Sequence, residues 1–205
     1  MAPVLLFDLS SIDLNKVIIP LEEIRKVIPQ RYEMEMLSGI VYESPDTAVG
    51  YKDLTMDEFW VRGHIPGRPL MPGVMMIECA AQLCAYITMK RQPEMGFLGF
   101  AKCDAVKFRG TVVPPARLYM IAQTVEINRR RAVAQCQGVC NGDLVFEAMV
   151  TGMSGLMTCQ AGTSYRYDLP SSPVAMSFIH VTYCAQIGWS SPSSFMMRRL
   201  SESLT

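Results

Sequence analysis

The sequence predicts an α+β fold in which an antiparallel sheet wraps around one long central helix. Three observations predict it: two strand-like segments come first, a long helix that is apolar on nearly every face follows, and about four further strand-like segments come last. The 205 residues are 50% hydrophobic and 19% charged, so the chain as a whole is not disordered. This length fits one domain with extensions.

The first predicted elements precede the long helix. Leu21–Ile28 lies between two prolines and carries acidic residues in its first turn and basic residues later, which predicts a short helix. Ser38–Glu43 and Thr47–Leu54 have the composition of strands, and residues 44–46 between them form a turn sequence.

The central element is Val74–Met89, a predicted helix whose whole circumference is apolar, after a loop at 63–73 that is rich in Gly and Pro. Such a helix must be surrounded by other structure. Glu78 within it argues against a membrane span, because an unpaired acid is costly in a bilayer.

The remaining elements are predicted strands, with the hairpin signal Asn-Gly at 141–142 between the last two. In the segment 118–127 both alternating sets of residues contain apolar side chains. We therefore expect one face of the sheet to cover the helix and the other to be partly shielded by a partner. The four predicted strands are Phe97–Val113, Arg117–Asn128, Arg131–Cys140 and Leu144–Thr151.

The chain divides into an N-terminal extension at 1–20, a domain at 21–153 and a C-terminal extension at 154–205 that contains Ser-Pro-rich, linker-like stretches. The last segment could cover the domain, regulate it or be largely disordered. The N-terminus lacks a basic region and carries Asp8 among its apolar residues, so we expect no secretory signal and a cytoplasmic protein.

Charge and cysteine usage exclude several function classes. Nineteen basic and nineteen acidic residues cancel, which removes the bulk electrostatic case for a nucleic-acid-binding protein. Seven cysteines, without a Cys-x-x-Cys pair, and only two histidines predict free thiols in a reducing compartment and no metal site.

Four features that can carry chemistry converge between residues 63 and 82. His64 lies in the Gly/Pro loop, Gly73 marks the start of the helix, and Glu78 and Gln82 share one helix face. Each alone has a plainer interpretation: a lone His in such a loop is usually solvated, and a buried Glu is often a structural hydrogen-bonding group. Together they supply a base, an acid and N–H groups for an anion. Burial and the helix start shift the pKa of the Glu78 carboxyl in opposite directions, so its net direction stays open.

The stretch GHIPGRPLMPGVMMIECAAQ at 63–82 resembles the active-site block of the 3-hydroxyacyl-[acyl-carrier-protein] dehydratases of bacterial fatty-acid synthesis, of the FabZ type and more distantly the FabA type. That family has the pattern G-H-F-P-G-x-P-x-M-P-G-V before an apolar run with an acid. His64 and Glu78 stand at the spacing of its catalytic pair. Residues 28–32 and 106–109 are similar to its P-H-R-Y and V-K-F-R segments.

The resemblance covers roughly residues 21–152 and implies a hotdog fold. It also implies a homodimer, with further assembly such as a trimer of dimers possible, in which His64 of one subunit and Glu78 of the other share a site. Glu at 78 and Gln at 82 resemble the dehydratase-only branch, since the isomerising branch usually has Asp and Trp there. The implied reaction converts (3R)-hydroxyacyl thioesters on acyl carrier protein to trans-2-enoyl thioesters in fatty acid biosynthesis.

This reaction needs no metal and no organic cofactor. His64 would remove the C2 proton, and Glu78, or a water that it holds, would protonate the departing hydroxyl group. Backbone N–H groups at Gly73 and Val74 would receive charge on the thioester oxygen. We expect Gln82 to orient Glu78.

Substrate and carrier contacts are predicted from residue type alone. An acyl chain needs apolar lining, although Met at helical spacing is more often plain core. The acidic carrier protein needs basic residues. The tunnel candidates are Ile65, Met71, Met75, Met76, Phe97 and Phe100, and the carrier-binding candidates are Arg68, Lys102, Arg109 and the arginine triplet at 129–131.

The chain departs from the family pattern at Gln30 (His in P-H-R-Y), at Ile65 (Phe) and at 115–116 (Gly-Asp). These differences bear on substrate identity more than on reaction type. Two other functions stay open: a hotdog thioesterase or coenzyme A ester hydratase, and a non-catalytic subunit that binds acyl chains. The presence of both His64 and Glu78 argues against the last.

Overall fold

A computed structural model describes residues 4–154 of the chain; the predicted C-terminal extension beyond Ser154 lies outside the described residues. Within these residues, seven strands form one sheet in the order β1-β2-β3-β5-β6-β7-β4, and every neighbouring pair is antiparallel. The predicted sheet around a long helix is therefore confirmed. The strands are β1 Ile19–Pro20, β2 Gly39–Glu43, β3 Thr47–Leu54, β4 Leu98–Phe108, β5 Ala116–Ile127, β6 Arg131–Cys140 and β7 Asp143–Ser154. The helices are α1 Leu21–Ile24 and α2 Gly73–Arg91, with 3-10 turns at Leu9–Ser11, Tyr32–Met34 and Pro93–Met95.

Helix α2 lies against the inner face of the sheet, in contact with β3 to β7. Leu83, Ile87 and Tyr86 on α2 are almost completely buried, as are Leu118 and Met120 on β5. Over 82–88 every residue of α2 is buried, which explains why this stretch has no polar face: any charged residue here would have to leave water. Toward the N-terminus, the helix face with Val74 stays partly exposed. Glu78 is the acidic residue that the helix nevertheless contains.

The outer face of the sheet is covered by the N-terminal segment of the same chain. Gln137 of β6 is 2% exposed and holds this segment: its Oε1 accepts from the Leu6 N–H at 2.7 Å, and its Nε2 donates to the Val4 carbonyl at 3.2 Å. The shielding that the sequence led us to assign to a partner is thus supplied by residues 4–14. The apolar residues beneath are Val41, Val49, Tyr51, Ile121 and Val139; those packed against them include Leu5, Leu6, Phe7, Leu9, Ile12 and Leu14.

Two predicted elements are shorter than expected. α1 ends at Ile24, although the Val27 and Ile28 N–H groups still donate to its carbonyl at 2.9 and 3.1 Å, so the chain continues in irregular turns to Pro29. β4 ends at Phe108 because the Arg109 and Gly110 N–H groups both turn to the Val145 carbonyl. Neither the end of α1 nor the end of β4 is marked by a change in the pattern of apolar residues.

Candidate active site

The Glu78 carboxyl group lies on α2 and is largely enclosed by neighbouring atoms, although part of the residue remains exposed. Loss of hydration raises the pKa of this carboxyl above its usual range, and the hydrogen bond from Gln82 offsets part of that rise. The direction that the sequence left open is therefore upward. A carboxyl group with a raised pKa keeps its proton to higher pH and can act as an acid.

Gln82 contacts Glu78 one helical turn away and is itself fixed on both sides. Its Nε2 donates to Glu78 Oε1 at 2.8 Å and to the Met34 carbonyl at 2.6 Å. Its Oε1 accepts from the Met36 N–H at 2.9 Å. With 1% exposure and every partner supplied by the protein, the Gln82 amide has one orientation. Its role toward Glu78 in catalysis stays a prediction.

The N-terminus of α2 is formed by Pro72 and Gly73, with no side chain capping it. The first N–H groups of an α-helix have no acceptor within the helix, and the Met75 N–H already turns back to the Pro72 carbonyl at 2.9 Å. Val74 is 65% exposed, so this helix end faces outward. A Cβ at Gly73 would lie 2.8 Å from the Phe108 ring, which is why glycine is needed there.

His64 is exposed in the loop that precedes α2. Its backbone N–H donates to the Trp60 carbonyl at 2.8 Å, and the Gly63 N–H shares that acceptor at 3.2 Å. Trp60 is 4% exposed and belongs to the main core. The loop is therefore fixed at Trp60 and presents the imidazole of His64 outward.

One chain by itself leaves His64 and Glu78 in different surroundings, since the first is exposed and the second is enclosed beside Gln82. Two hollows near the site are lined by neither residue. A small one lies beside Gln82 and Gln30, and one of about 340 Å³ lies beside the loop. The larger hollow is lined by Tyr32, Glu33, Lys52, Thr55, Asp57, Glu58 and Phe59.

The tunnel candidates fall into two groups. Met71 and Met76 are each 2% exposed and belong to the core, and Met75 and Phe100 pack partly buried against it. Ile65 and Phe97 are each 37% exposed and are free of the core, so only these two present apolar surface outward.

The carrier-binding candidates also differ from one another. Arg68 is exposed in the His64 loop. Lys102 forms an ion pair with Asp104 at 2.9 Å, and Arg109 pairs with Glu147 on β7. In the arginine triplet, Arg131 pairs with Glu126, whereas Arg129 and Arg130 are exposed. An ion pair within the chain leaves less of the basic charge for an acidic partner, so Arg68 is a stronger candidate than Lys102 and Arg109, and it also lies in the His64 loop.

Sequence reasoning missed the pair formed by Lys52 and Glu58. Lys52 lies on β3, its side chain 16% exposed, and its Nζ lies 3.5 Å from Oε1 of Glu58, which is 11% exposed. A lysine in the strand 47–54, where almost all neighbours are buried, was the available signal. Long charged side chains are rarely buried unless they are paired.

Among residues 4–154, no helix is long and apolar enough to cross a membrane. Nor does that part of the chain bring three His, Cys, Asp or Glu side chains close enough to hold a metal ion.

Comparison with known proteins gives a consistent result. Residues 28–149 match the FabA-like domain family. The 3-hydroxyacyl-[acyl-carrier-protein] dehydratase FabZ of Streptococcus pneumoniae is 34% identical over 134 residues, which are 65% of this chain and 96% of that protein. The family match at 28–149 spans His64, the start of α2 and Glu78.

Solved structures match at the level of the fold. A chain of the dehydratase heterocomplex ApeI:P from Xenorhabdus doucetiae aligns with a TM-score of 0.56 at 12% identity, over 64% of this chain and 90% of that one. Zebrafish thioesterase superfamily member 2 aligns with a TM-score of 0.51 at 14% identity, over 66% and 99%. The hotdog fold expected from the motif is thus confirmed, and identities this low show the fold alone.

Proposed function

From the chain's membership of the FabZ-like family of 3-hydroxyacyl-[acyl-carrier-protein] dehydratases, we propose that this dehydratase eliminates water from (3R)-hydroxyacyl thioesters on acyl carrier protein by His/Glu acid–base catalysis. The family's place in fatty acid biosynthesis gives the reaction its context. The observation that carries the residue assignment is the enclosed, hydrogen-bonded carboxyl group of Glu78 on the helix that follows the His64 loop.

Glu78 is the proposed acid. Its Oε1 accepts a hydrogen bond from Gln82, so the proton belongs on Oε2. Burial raises the pKa of the carboxyl, which favours the protonated form needed to convert a departing hydroxide into water. Gln82 keeps the carboxyl in one orientation because its own amide is fixed by the backbone of Met34 and Met36.

His64 is the proposed base. A neutral imidazole takes the proton from C2 of the substrate, and the electron pair of that C–H bond becomes the C2–C3 double bond. The C3–O bond breaks, and its oxygen leaves as water with the proton from Glu78. Acid–base catalysis of this kind contributes roughly 10²–10⁴-fold.

The N-terminus of α2 is the proposed site for the thioester oxygen, on which negative charge builds as C2 loses its proton. The Gly73 and Val74 N–H groups point out of the helix end, and each well-placed donor is worth about 3–4 kcal/mol. The Phe108 ring packs close to Gly73, and this contact sets where the helix start lies against β4.

A homodimer with shared sites is proposed on the geometry of β4. This strand of eleven residues is at the end of the sheet, and in the described part of the chain it pairs only with β7. Its last residue, Phe108, contacts Gly73 at the start of α2. The open edge of β4 supports pairing with a second copy, and the family resemblance supports the sharing, in which the partner's exposed His64 loop approaches this helix end and the enclosed Glu78.

Acyl carrier protein is the proposed carrier, and Arg68 beside His64 is the proposed contact with its acidic surface. The exposed side chains of Ile65 and Phe97 are proposed to meet the acyl chain where it enters. Further assembly of dimers is proposed only from the family.

The direct experiment follows enoyl absorbance after purified protein is mixed with 3-hydroxybutyryl thioesters on acyl carrier protein and on coenzyme A. We expect His64→Ala and Glu78→Gln to fold, to assemble and to lose turnover by at least about 10²-fold. Glu94→Gln is the matched control, because Glu94 is an exposed acid just beyond the other end of α2. Unchanged turnover in His64→Ala would remove the central assignment.

Two further readouts separate the alternatives. Release of free thiol without enoyl absorbance would indicate a thioesterase. Mixed dimers of His64→Ala and Glu78→Gln chains contain one intact site of the two if the site is shared, so co-expression should restore turnover that both parents lack. A mixed dimer as inactive as its parents would contradict the shared site.

A further inference from the structure

The backbone segment 34–36 is a junction between the sheet and the face of α2 that carries Glu78. The Met34 carbonyl accepts from Gln82 at 2.6 Å, and the Met36 N–H donates to the same side chain at 2.9 Å. The Met36 carbonyl accepts from Cys79 Sγ at 3.1 Å. Any displacement of this segment would therefore move the amide that orients Glu78.

Lys52 binds the middle of this segment. Its Nζ donates to the Glu35 carbonyl at 3.1 Å, between the two residues that hold Gln82. The Glu35 side chain points elsewhere, to Arg25, in a paired contact of 2.6 and 2.9 Å. The ammonium group of Lys52 is thus directed at the backbone that supports the acid.

The same ammonium group pairs with Glu58, at the beginning of the loop that carries His64. Both side chains are mostly buried, and their charged atoms lie 3.5 Å apart. The Glu58 carbonyl accepts from the Val61 N–H at 2.9 Å, and the Trp60 carbonyl accepts from the His64 N–H at 2.8 Å. Two consecutive turns therefore connect the residue that Lys52 holds to the residue that presents the imidazole.

We propose that Lys52 is a positioning residue for both catalytic groups, because one ammonium group links the His64 loop to the segment that holds Gln82 and Glu78. This inference rests on the proposed function. In the proposed dimer, His64 and Glu78 of one chain serve different active sites, so each Lys52 sets the geometry of two sites at once. Low exposure strengthens the link, because a buried ion pair is screened little by solvent.

The first experiment measures kcat and KM of Lys52→Met and Lys52→Arg with 3-hydroxybutyryl-carrier substrate. Displacement of catalytic groups by about 1 Å costs on the order of 10²-fold in rate, so kcat of Lys52→Met should fall about 10- to 100-fold while KM stays within about twofold. Lys52→Arg should recover most of kcat, since it restores a donor to both acceptors. Lys26→Met is the control, because Lys26 forms an exposed pair with Glu23 away from the site.

A second variant keeps the proposal testable if the unpaired Glu58 prevents folding of Lys52→Met. The double variant Lys52→Met/Glu58→Gln removes both charges together and leaves no buried unpaired ion. We expect it to fold and to show the same loss of kcat. Normal kcat in either folded variant, or failure of Lys52→Arg to recover it, would overturn the proposal.

Mixed dimers test separately whether Lys52 positions His64 and whether it positions Glu78. With one chain carrying His64→Ala and the other Glu78→Gln, the intact site takes Glu78 from the first chain and His64 from the second. Lys52→Met placed in either chain should lower the restored turnover, and an effect from one chain only would overturn the dual role. If instead His64→Ala and Glu78→Gln homodimers retain full turnover, the proposed function fails, whatever Lys52 does.

Discussion

At the scale of single residues, Glu78 places a carboxyl group in an enclosed position, where its ionised form lowers the stability of the fold. Its pKa is raised in the folded chain by burial, so above the ordinary pKa the unfolded state releases this proton more readily than the folded state does. The contribution of Glu78 to stability is fully present at pH below the unfolded pKa and is lost as pH rises through the folded pKa. A group of this kind is expected where chemistry needs an acid.

The first prediction concerns the stability of Glu78→Gln. The amide preserves the size of the side chain, and its oxygen can still accept from Gln82, but it has no charge to bury. Its free energy of unfolding should exceed that of the wild type at pH 8, and the difference should shrink toward pH 4. Urea unfolding at several pH values measures this. If the difference in the free energy of unfolding between variant and wild type were the same at pH 8 and pH 4, burial would not raise the pKa of the Glu78 carboxyl.

At the scale of elements, the start of α2 depends on one close approach. The Phe108 ring of β4 comes within 2.8 Å of the position that a Cβ at residue 73 would take, and this ring also packs against Phe146 at 5.8 Å between centroids. The ring is also 52% exposed, so relieving a clash at residue 73 would push it further into solvent and weaken its contact with Phe146. Because Gly73 has no side chain, the helix N-terminus can lie this close to β4.

The second prediction follows from that contact. Gly73→Ala should destabilise the fold by about 1–3 kcal/mol through overpacking and should lower kcat, because the N–H groups at the helix end shift. Phe108→Leu in the same chain should recover part of the stability. Thermal unfolding and enoyl absorbance measure the two effects. Unchanged stability of Gly73→Ala would contradict the prediction, because it would show that the Phe108 ring moves aside without cost.

The N-terminal segment is the other element with a consequence for stability. Leu6 packs on the outer face of the sheet and its N–H binds Gln137, whereas Val4 is 87% exposed. The third prediction is that Leu6→Ser lowers stability by about 1–3 kcal/mol and increases self-association, while the matched Val4→Ser does neither. Urea unfolding and light scattering compare the two. Equal behaviour of both variants would contradict the covering role.

Local patterns in the sequence were sufficient for α2, for the strands β2 to β7 and for the motif that contains His64 and Glu78. They were insufficient for contacts between distant segments. The stretch at 4–14 has no period that assigns it to the outer face of the sheet. Lys52 and Glu58 likewise meet only because β3 and the following loop fold back on each other. Such pairings depend on tertiary geometry, which composition and spacing do not encode.

At the scale of the whole molecule, the proposed shared site makes activity depend on association. The fourth prediction is that turnover per chain falls on dilution, as dimers dissociate. It should return when His64→Ala chains, which are inactive alone but retain Glu78, are added at high concentration. Chains carrying both His64→Ala and Glu78→Gln serve as the negative control, since they can supply neither group. Constant turnover per chain across a dilution series that sedimentation shows to include monomers would contradict the shared site.

The two ends of the sheet are unequal. One ends in β1, which has two residues, one of them Pro20, and proline offers no N–H to a further strand. The other ends in the eleven residues of β4. In the proposed dimer, two copies that join through β4 leave, within residues 4–154, the short strand β1 with its proline as the free edge on either side, so strand-by-strand growth would stop there. Pairing of this kind in the proposed dimer would protect the long open edge of β4 from joining chain after chain into fibres.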